Sequence, residues 1–297
     1  MKAHLLCIPC TLRAAYDIAT KATSDEVVQR KVLVETIKWL NEERNNLMNM
    51  TPTALHTYVF KIVQRFSGNT DPFAHLKDES NRLAMELLPL LEGEVNRMNE
   101  AEAFRFAALG AICGNSIDFE VEGYHVSTED LKRSLLICLK SGLTIDDSQK
   151  LMDALSKSRT ALYFLDNAGE VVFDKLFIKV IVEKYPVKIF AAVKSGPILN
   201  DATMKDALEV GLSEVAEVIE VGSDSIGLNL EECSEDFKKL LKEADLIIAK
   251  GQGYYESLTE VERVIDKPIT YMLRAKCSAV AKSIGVPRGS NVIKFIG

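Results

Sequence analysis

From Thr160 to the C-terminus, short runs rich in β-branched and aromatic residues alternate with amphipathic segments of helical length, and few folds satisfy that order. The runs are TALYFL, VKIFAAV, EVIEV, DLIIAK, PITYML and NVIKFI; between them lie FDKLFIKVIVEKY, DATMKDALEVG, NLEECSEDFKKLLKEA, YYESLTEVERV and KCSAVAKSIG. Strands separated by helices cannot close as hairpins, so the chain must cross over between them, which predicts an α/β fold with a mostly parallel sheet covered on both faces. The first half reads differently. EVVQRKVLVETIKWLNEERNNL places Leu33, Ile37 and Leu40 at helical spacing, and TALHTYVFKIVQRF repeats the pattern before the break SGNTDPF. Further helices fit HLKDESNRLAMELLPLLEGEVNRM, AEAFRFAALGAICG and TEDLKRSLLICLKSG.

A chain of 297 residues has room for two such units with a well-buried core. The boundary is expected near 157/158, giving a helical domain over 1–157 and an α/β domain over 158–297. Acidic residues outnumber basic ones, 43 against 36, and no basic run is long enough to follow a phosphate backbone, so nucleic acid is not an expected partner. The apolar stretch at the start runs directly into Arg13 and Asp17, and no apolar run approaches the ~20 residues a bilayer span needs. A cytoplasmic protein with no membrane contact and no evident protein partner is expected. The six cysteines do not read as a disulfide framework. Cys113, Cys138, Cys233 and Cys277 stand alone in sequence, and reduced cysteines in apolar helices pack as small hydrophobes. Cys7 and Cys10, in CIPC, have the spacing of a metal knuckle or redox pair, yet no second pair follows at zinc-site distance. They are incidental thiols, a redox pair, or half of a site completed by a distant cysteine such as Cys113.

In a parallel sheet, ligands bind at the carboxyl ends of the strands, where loops converge and helix N-termini point outward. After ALYFL stand Asp166, Asn167, Gly169 and Glu170; after KIFAAV stand Lys194, Ser195, Gly196, Asn200 and Asp201; after DLIIA stand Lys250, Gly251, Gln252 and Gly253. Asp166, Asn167 and Asp201 offer only oxygen ligands, which suits a hard divalent cation such as Mg²⁺ and does not suit structural zinc. Lys194 and Lys250 add positive charge beside it, and a cation flanked by lysines is suited to holding phosphate. Taken singly, these residues also fit turns and caps, with Asp201 an N-cap of ATMKDALEVG. Three charged strand ends on one sheet edge favour a site. In KGQGYYE the third glycine of a dinucleotide fingerprint is replaced by Glu256, so Gly251 and Gly253 read better as a backbone nest for phosphate. In the helical half, LGAICGNSIDFE ends a helix at Gly114-Asn115 and brings Asp118 close behind.

GNSID, DNAGEVVFD, KSGPILNDAT and KGQGYYESL, in this order, resemble the motifs of the damage-control phosphatase family, also known as domain of unknown function 89, and CIPC is similar to the start of its archaeal and bacterial branch. The resemblance runs over nearly the whole chain. It implies a helical N-terminal domain packed on a three-layer α/β/α domain, and a metal-dependent phosphatase acting on small phosphorylated metabolites such as sugar phosphates. It further implies that Asp166, Asn167 and Asp201 hold the metal (Mg²⁺, Mn²⁺, Co²⁺ or Ni²⁺), with Lys250 near the phosphate. Asn115 and Asp118 would reach the substrate from the helical side, and Glu170, Lys194 and Gly251 also fall within the motifs. Tyr254 departs from the pattern, which leads one to expect Asn after KGQG. A metal-activated water or the Asp166 carboxylate would attack phosphorus. Two alternatives stand beside this reading. One is a Rossmann-type carboxyl methyltransferase, whose glycine-rich loop is here reduced to DNAGE; the other is a protein that binds a phosphometabolite without turning it over.

Overall fold

The computed structural model describes residues 1–114 and 128–297. Five long helices come first: α1 (Cys7–Ala22), α2 (Glu26–Glu42), α3 (Pro52–Ser67), α4 (Ala74–Val95) and α5 (Glu100–Cys113). Their ends follow local chemistry. Asp25 accepts from Val27 N to cap α2, and Thr51 with Pro52 opens α3, which Gly68 closes in the left-handed region. Asn99 and Glu102 form a capping box on α5. Helix α1 begins within CIPC, a segment the apolar spacing had not marked as helical. Helix α2 forms where predicted but turns a different face inward: Val32, Thr36, Trp39 and Leu40 are buried, while Ile37 is exposed. The rotation seats Trp39 against Tyr58 of α3, with stacked rings 4.0 Å apart.

After α6 (Thr128–Ser141), β1 (Ile145–Asp146) and α7 (Ser148–Leu155), the predicted alternation begins. It runs β2 (Thr160–Phe164), α8 (Glu170–Lys184), β3 (Lys188–Val193), α9 (Met204–Glu209), β4 (Glu217–Glu220), α10 (Glu235–Glu243) and β5 (Leu246–Lys250). It continues with α11 (Gly251–Leu258), α12 (Glu262–Ile265), β6 (Ile269–Arg274), α13 (Ser278–Ile284) and β7 (Asn291–Ile296). Among the described residues seven strands lie in the order β1-β7-β6-β5-β2-β3-β4, all neighbours parallel except β6 and β7. From β2 the chain winds outward through β3 to β4, then crosses back to β5 on the other side of β2. The β2–β5 junction is therefore the point at which strand order reverses, where an open parallel sheet leaves a crevice between diverging loops.

Two cores sandwich the sheet. On one face Tyr163, Val171, Phe173, Phe177 and Ile248 join Leu83 and Leu87 of α4 and Phe104 and Ile112 of α5; on the other, Phe164, Phe237, Ile247, Tyr254 and Val280 pack together. Helix α8 is apolar on nearly every side because α4, α5 and the sheet surround it. The expected boundary at 157/158 lies between α7 and β2, yet β1, before it, already pairs with β7. The first core also takes side chains from both segments, so the sheet reaches back across that boundary.

The cysteine reading needs one correction. Cys113, at the end of α5, is bonded to Cys138 in α6 across 25 residues of sequence, with Cα atoms 5.6 Å apart. Tertiary packing of two helices brings the pair together, and nothing in either local sequence marks it. Cys113 is therefore not available to complete a site with Cys7 and Cys10. Thiol titration of the unfolded but unreduced protein should find four free groups, Cys7, Cys10, Cys233 and Cys277. A count of six would mean that the helices are held by packing alone.

Candidate active site

The site begins where β2 ends. Leu165 N still donates to Ala192 O at 3.1 Å, and Asp166 and Asn167 follow as the chain leaves the sheet. The loop after β3 then turns back beside them: Leu199, at φ 46°, takes the left-handed conformation that costs a non-glycine residue ~1–2 kcal/mol. The return segment pairs on both sides. Ala168 N donates to Asn200 O at 2.9 Å, Ala202 N to Asp166 O at 2.8 Å, and Lys194 N to Ala202 O at 3.1 Å. Asn167 and Asp201 thereby face each other as an antiparallel bridge, and Lys194 and Thr203 as a parallel one. Asp201 is thus no N-cap. Thr203 caps α9 in a box with Asp206, which leaves the Asp201 carboxylate for the site.

Two glycines are required by close approach. At Gly169, φ 76°, a Cβ would lie 2.9 Å from Ser80 Cβ, and the Gly169 N–H donates to Asn81 Oδ1 at 2.7 Å. Asn81 also donates to Asp206 Oδ1 at 3.0 Å and Glu209 Oε2 at 3.2 Å, so one buried amide on α4 ties the corner to α9. At Gly251, φ 78°, a Cβ would fall 2.0 Å from the Asp166 carboxylate carbon. Its backbone thus packs directly on the carboxylate, and the Gly251 of KGQG serves clearance for Asp166.

The charged side chains form two linked groups. In the first, Asn167 Nδ2 lies 3.0 Å from Asp166 Oδ2 and 3.4 Å from Glu170 Oε2, so the amide nitrogen serves the two carboxylates and Oδ1 remains as its ligand atom. Asp201 Oδ2 is 3.6 Å from Lys194 Nζ, which also donates to Gly227 O and lies 4.4 Å from the centroid of the Tyr254 ring. In the second group, Lys250 donates to Glu170 Oε1, to Asp174 Oδ1 at 2.8 Å and to Ala111 O at 2.8 Å, and Tyr163 OH donates to the same Asp174 oxygen at 2.6 Å. An ammonium has three hydrogens. Those of Lys250 have three protein partners, so it reaches the site through Glu170. Asn115 and Asp118 lie outside the described residues.

Burial dominates the electrostatics. It raises Asp166 against the opposing charges of Lys276, Lys250 and Lys194, and it raises Asp201 to about 7 despite Lys194. Glu170 is pushed to about 8 by burial against the pull of Lys250. For Lys250 itself burial works downward, and the charges of Asp174 and Glu170 outweigh it, so the ammonium stays charged. Two buried carboxylates with too little positive charge near them are what a cation would relieve. Among the described residues no three His, Cys, Asp or Glu side chains converge as ligands. Two carboxylates and an amide oxygen are all hard donors, the chemistry that a divalent ion of the magnesium type takes.

Sequence reading found the strand ends and missed their supports. Asn81 and Tyr163 come from a helix and a strand interior with no motif to announce them, and Asp174, though it closes DNAGEVVFD, has no role in that reading. Lys276, an exposed residue after β6, supplies the largest opposing charge on Asp166, and its N–H donates to Gln252 Oε1 at 3.2 Å.

Residues 3–292 match the damage-control phosphatase ARMT1-like domain. A damage-control phosphatase of Pyrococcus horikoshii is 35% identical over 98% of this chain and 97% of its own. Another, from Archaeoglobus fulgidus, is 34% identical over the full length of both. An uncharacterized protein of Methanocaldococcus jannaschii is 41% identical over 97% of this chain and 93% of its own. The crystal structure of a DUF89 family protein from Pyrococcus horikoshii superposes with a TM-score of 0.88 at 35% identity, covering 99% of this chain and 98% of that one.

Proposed function

Because this chain belongs to the damage-control phosphatase ARMT1-like family, we propose that its phosphatase activity on small phosphometabolites is carried by a divalent cation held by Asp166, Asn167 and Asp201 at the β2–β5 crevice. The observation that carries the metal assignment is the antiparallel bridge of Asn167 with Asp201. It holds Asn167 and Asp201 side by side through backbone hydrogen bonds, with the buried Asp166, whose carbonyl accepts from Ala202 N, next to Asn167 in the chain. A bound divalent cation supplies positive charge to offset the phosphoryl oxygens.

The chain's own residues do the rest. Lys194, held between Asp201 and the Tyr254 ring, is pushed down by burial and pulled back by the charges of Asp201 and Asp166, and it is the amine we assign to meet the phosphoryl group. Lys276, exposed and the largest opposing charge on Asp166, is the group we assign to attract an incoming phosphate. Glu170, fixed by Lys250 and sharing the Asn167 amide, is the group we assign to hold or accept a proton during hydrolysis. Sugar phosphates are the substrates we favour. No helix among the described residues is long and apolar enough to cross a membrane.

Hydrolysis of p-nitrophenyl phosphate or a hexose phosphate should vanish in EDTA and return with Mg²⁺, Mn²⁺, Co²⁺ or Ni²⁺. Full turnover after exhaustive removal of metal would sink the metal assignment while leaving the phosphatase itself in place.

A further inference from the structure

Tyr254 is a buried tyrosine whose hydroxyl has no hydrogen-bond partner among the described residues. Its surroundings are otherwise well filled. The ring lies against Phe164, the last residue of β2, at a centroid distance of 4.7 Å, and carries the Lys194 ammonium over its face at 4.4 Å. The residue is 1% exposed, as is Lys194. Ring and cation account for the choice of an aromatic side chain here, since a desolvated ammonium gains from a π face while still pairing with Asp201. They do not account for the oxygen. Phenylalanine would supply the same packing and the same π face, and an unpaired buried hydroxyl costs ~1–3 kcal/mol.

The Lys194 ammonium that lies over the ring is also 3.6 Å from Asp201 Oδ2, so the ring borders the candidate site. Burial pushes the phenol far above its usual range, and the Asp201 and Asp166 charges push in the same direction, so the group keeps its proton and serves as a donor. Both carboxylates belong to the proposed cation site, and the phosphoryl group must lie against that site to be hydrolysed. On that reading of the site, we infer that Tyr254 is a substrate-positioning residue whose hydroxyl donates to a phosphoryl oxygen while its ring holds Lys194 on Asp201. The acceptor required is an anionic oxygen of a phosphomonoester or of inorganic phosphate.

The test uses Tyr254→Phe, which keeps the ring and removes only the oxygen. Calorimetric titration of the Mg²⁺-loaded protein with inorganic phosphate should show affinity reduced about tenfold to a hundredfold, the range for a hydrogen bond to a charged group. The kcat/KM for p-nitrophenyl phosphate should fall by a similar factor. Mg²⁺ affinity should stay near the parental value, because the ring still seats Lys194, and Tm should be unchanged or higher. Parental phosphate affinity and kcat/KM in the variant would overturn the inference, as would a fall in Tm and Mg²⁺ affinity together, which would make the hydroxyl a structural group. A parent that binds phosphate through Tyr254 but hydrolyses no phosphomonoester would instead count against the catalytic reading and leave this one standing.

Discussion

Asp166→Asn should abolish nearly all turnover and leave the fold intact. The substitution keeps the shape of a side chain that packs directly on the Gly251 backbone, so no steric cost is introduced. It removes a charge that burial already disfavours, as the upward shift of the carboxyl records. The metal-free protein should therefore melt at or slightly above the parental temperature. Turnover has no such tolerance, because a neutral amide cannot replace an anionic ligand for a hard cation. Loss of one preorganised electrostatic partner costs on the order of 10²–10³ in rate, and loss of the cation's hold should reach at least that. Asp201→Asn should lose turnover in the same way but destabilise the fold, because it removes the carboxylate 3.6 Å from the buried Lys194 and leaves it Gly227 O, the Tyr254 ring and the charge of Asp166. Steady-state kinetics and melting curves, each with Mg²⁺ and with EDTA, separate the two. Retained turnover with a lowered Tm in Asp166→Asn would make this corner a structural one.

The difference between these two variants shows which parts of the site a sequence can display. Asp166, Asn167 and Asp201 are legible because the run of apolar strand residues stops at charged ones, and in a parallel sheet such stops fall on one edge. The pairing that makes them a site is less so. It depends on Leu199 adopting a positive φ and on four residues of return chain, which no periodicity encodes. The layer beneath is not legible at all. Asn81 is one polar position in an amphipathic helix, and Asp174, although it closes DNAGEVVFD, shows nothing in sequence of the lysine it pairs with. Only the packing of α4 and α5 around α8 buries them, at contacts distant in sequence. The Cys113–Cys138 bond fails for the same reason, and the inward face of α2 was misjudged because α1 and α3, not the helix's own apolar count, select it. Lys250 is the instructive intermediate case: its place at a strand end was readable, but the direction of its ammonium was not.

That direction sets the last expectation. If Lys250 faced a phosphate across open solvent, Lys250→Met would lower the rate and leave stability alone. The structure aims the ammonium at Glu170, Asp174 and Ala111 O, all sealed from water. Removing it leaves two buried carboxylates without a counter-charge, and Asp174 Oδ2 already lacks a hydrogen-bond partner among the described residues. Breaking a buried pair in this way costs ~3–5 kcal/mol, so Lys250→Met should melt well below the parent. The loss should also depend on pH with a definite sign. Glu170 in the folded state sits at about 8, above its ordinary 4.5, so the folded protein holds a proton that the unfolded chain releases, and its contribution falls as pH rises from 4.5 to about 8. Without Lys250 the carboxyls are pushed further up, so variant and parent lose stability in step while Glu170 is protonated in both, and the gap should widen as pH rises through about 8, where the parent's Glu170 ionises and the variant's does not. Turnover should fall together with stability, because Glu170 loses the partner that fixes it beside Asn167. Denaturation curves across that pH range, with kinetics on the same preparations, give both readings. A variant with parental stability at pH 8 and impaired turnover would mean that the ammonium leaves the carboxylates for the substrate when the site is loaded.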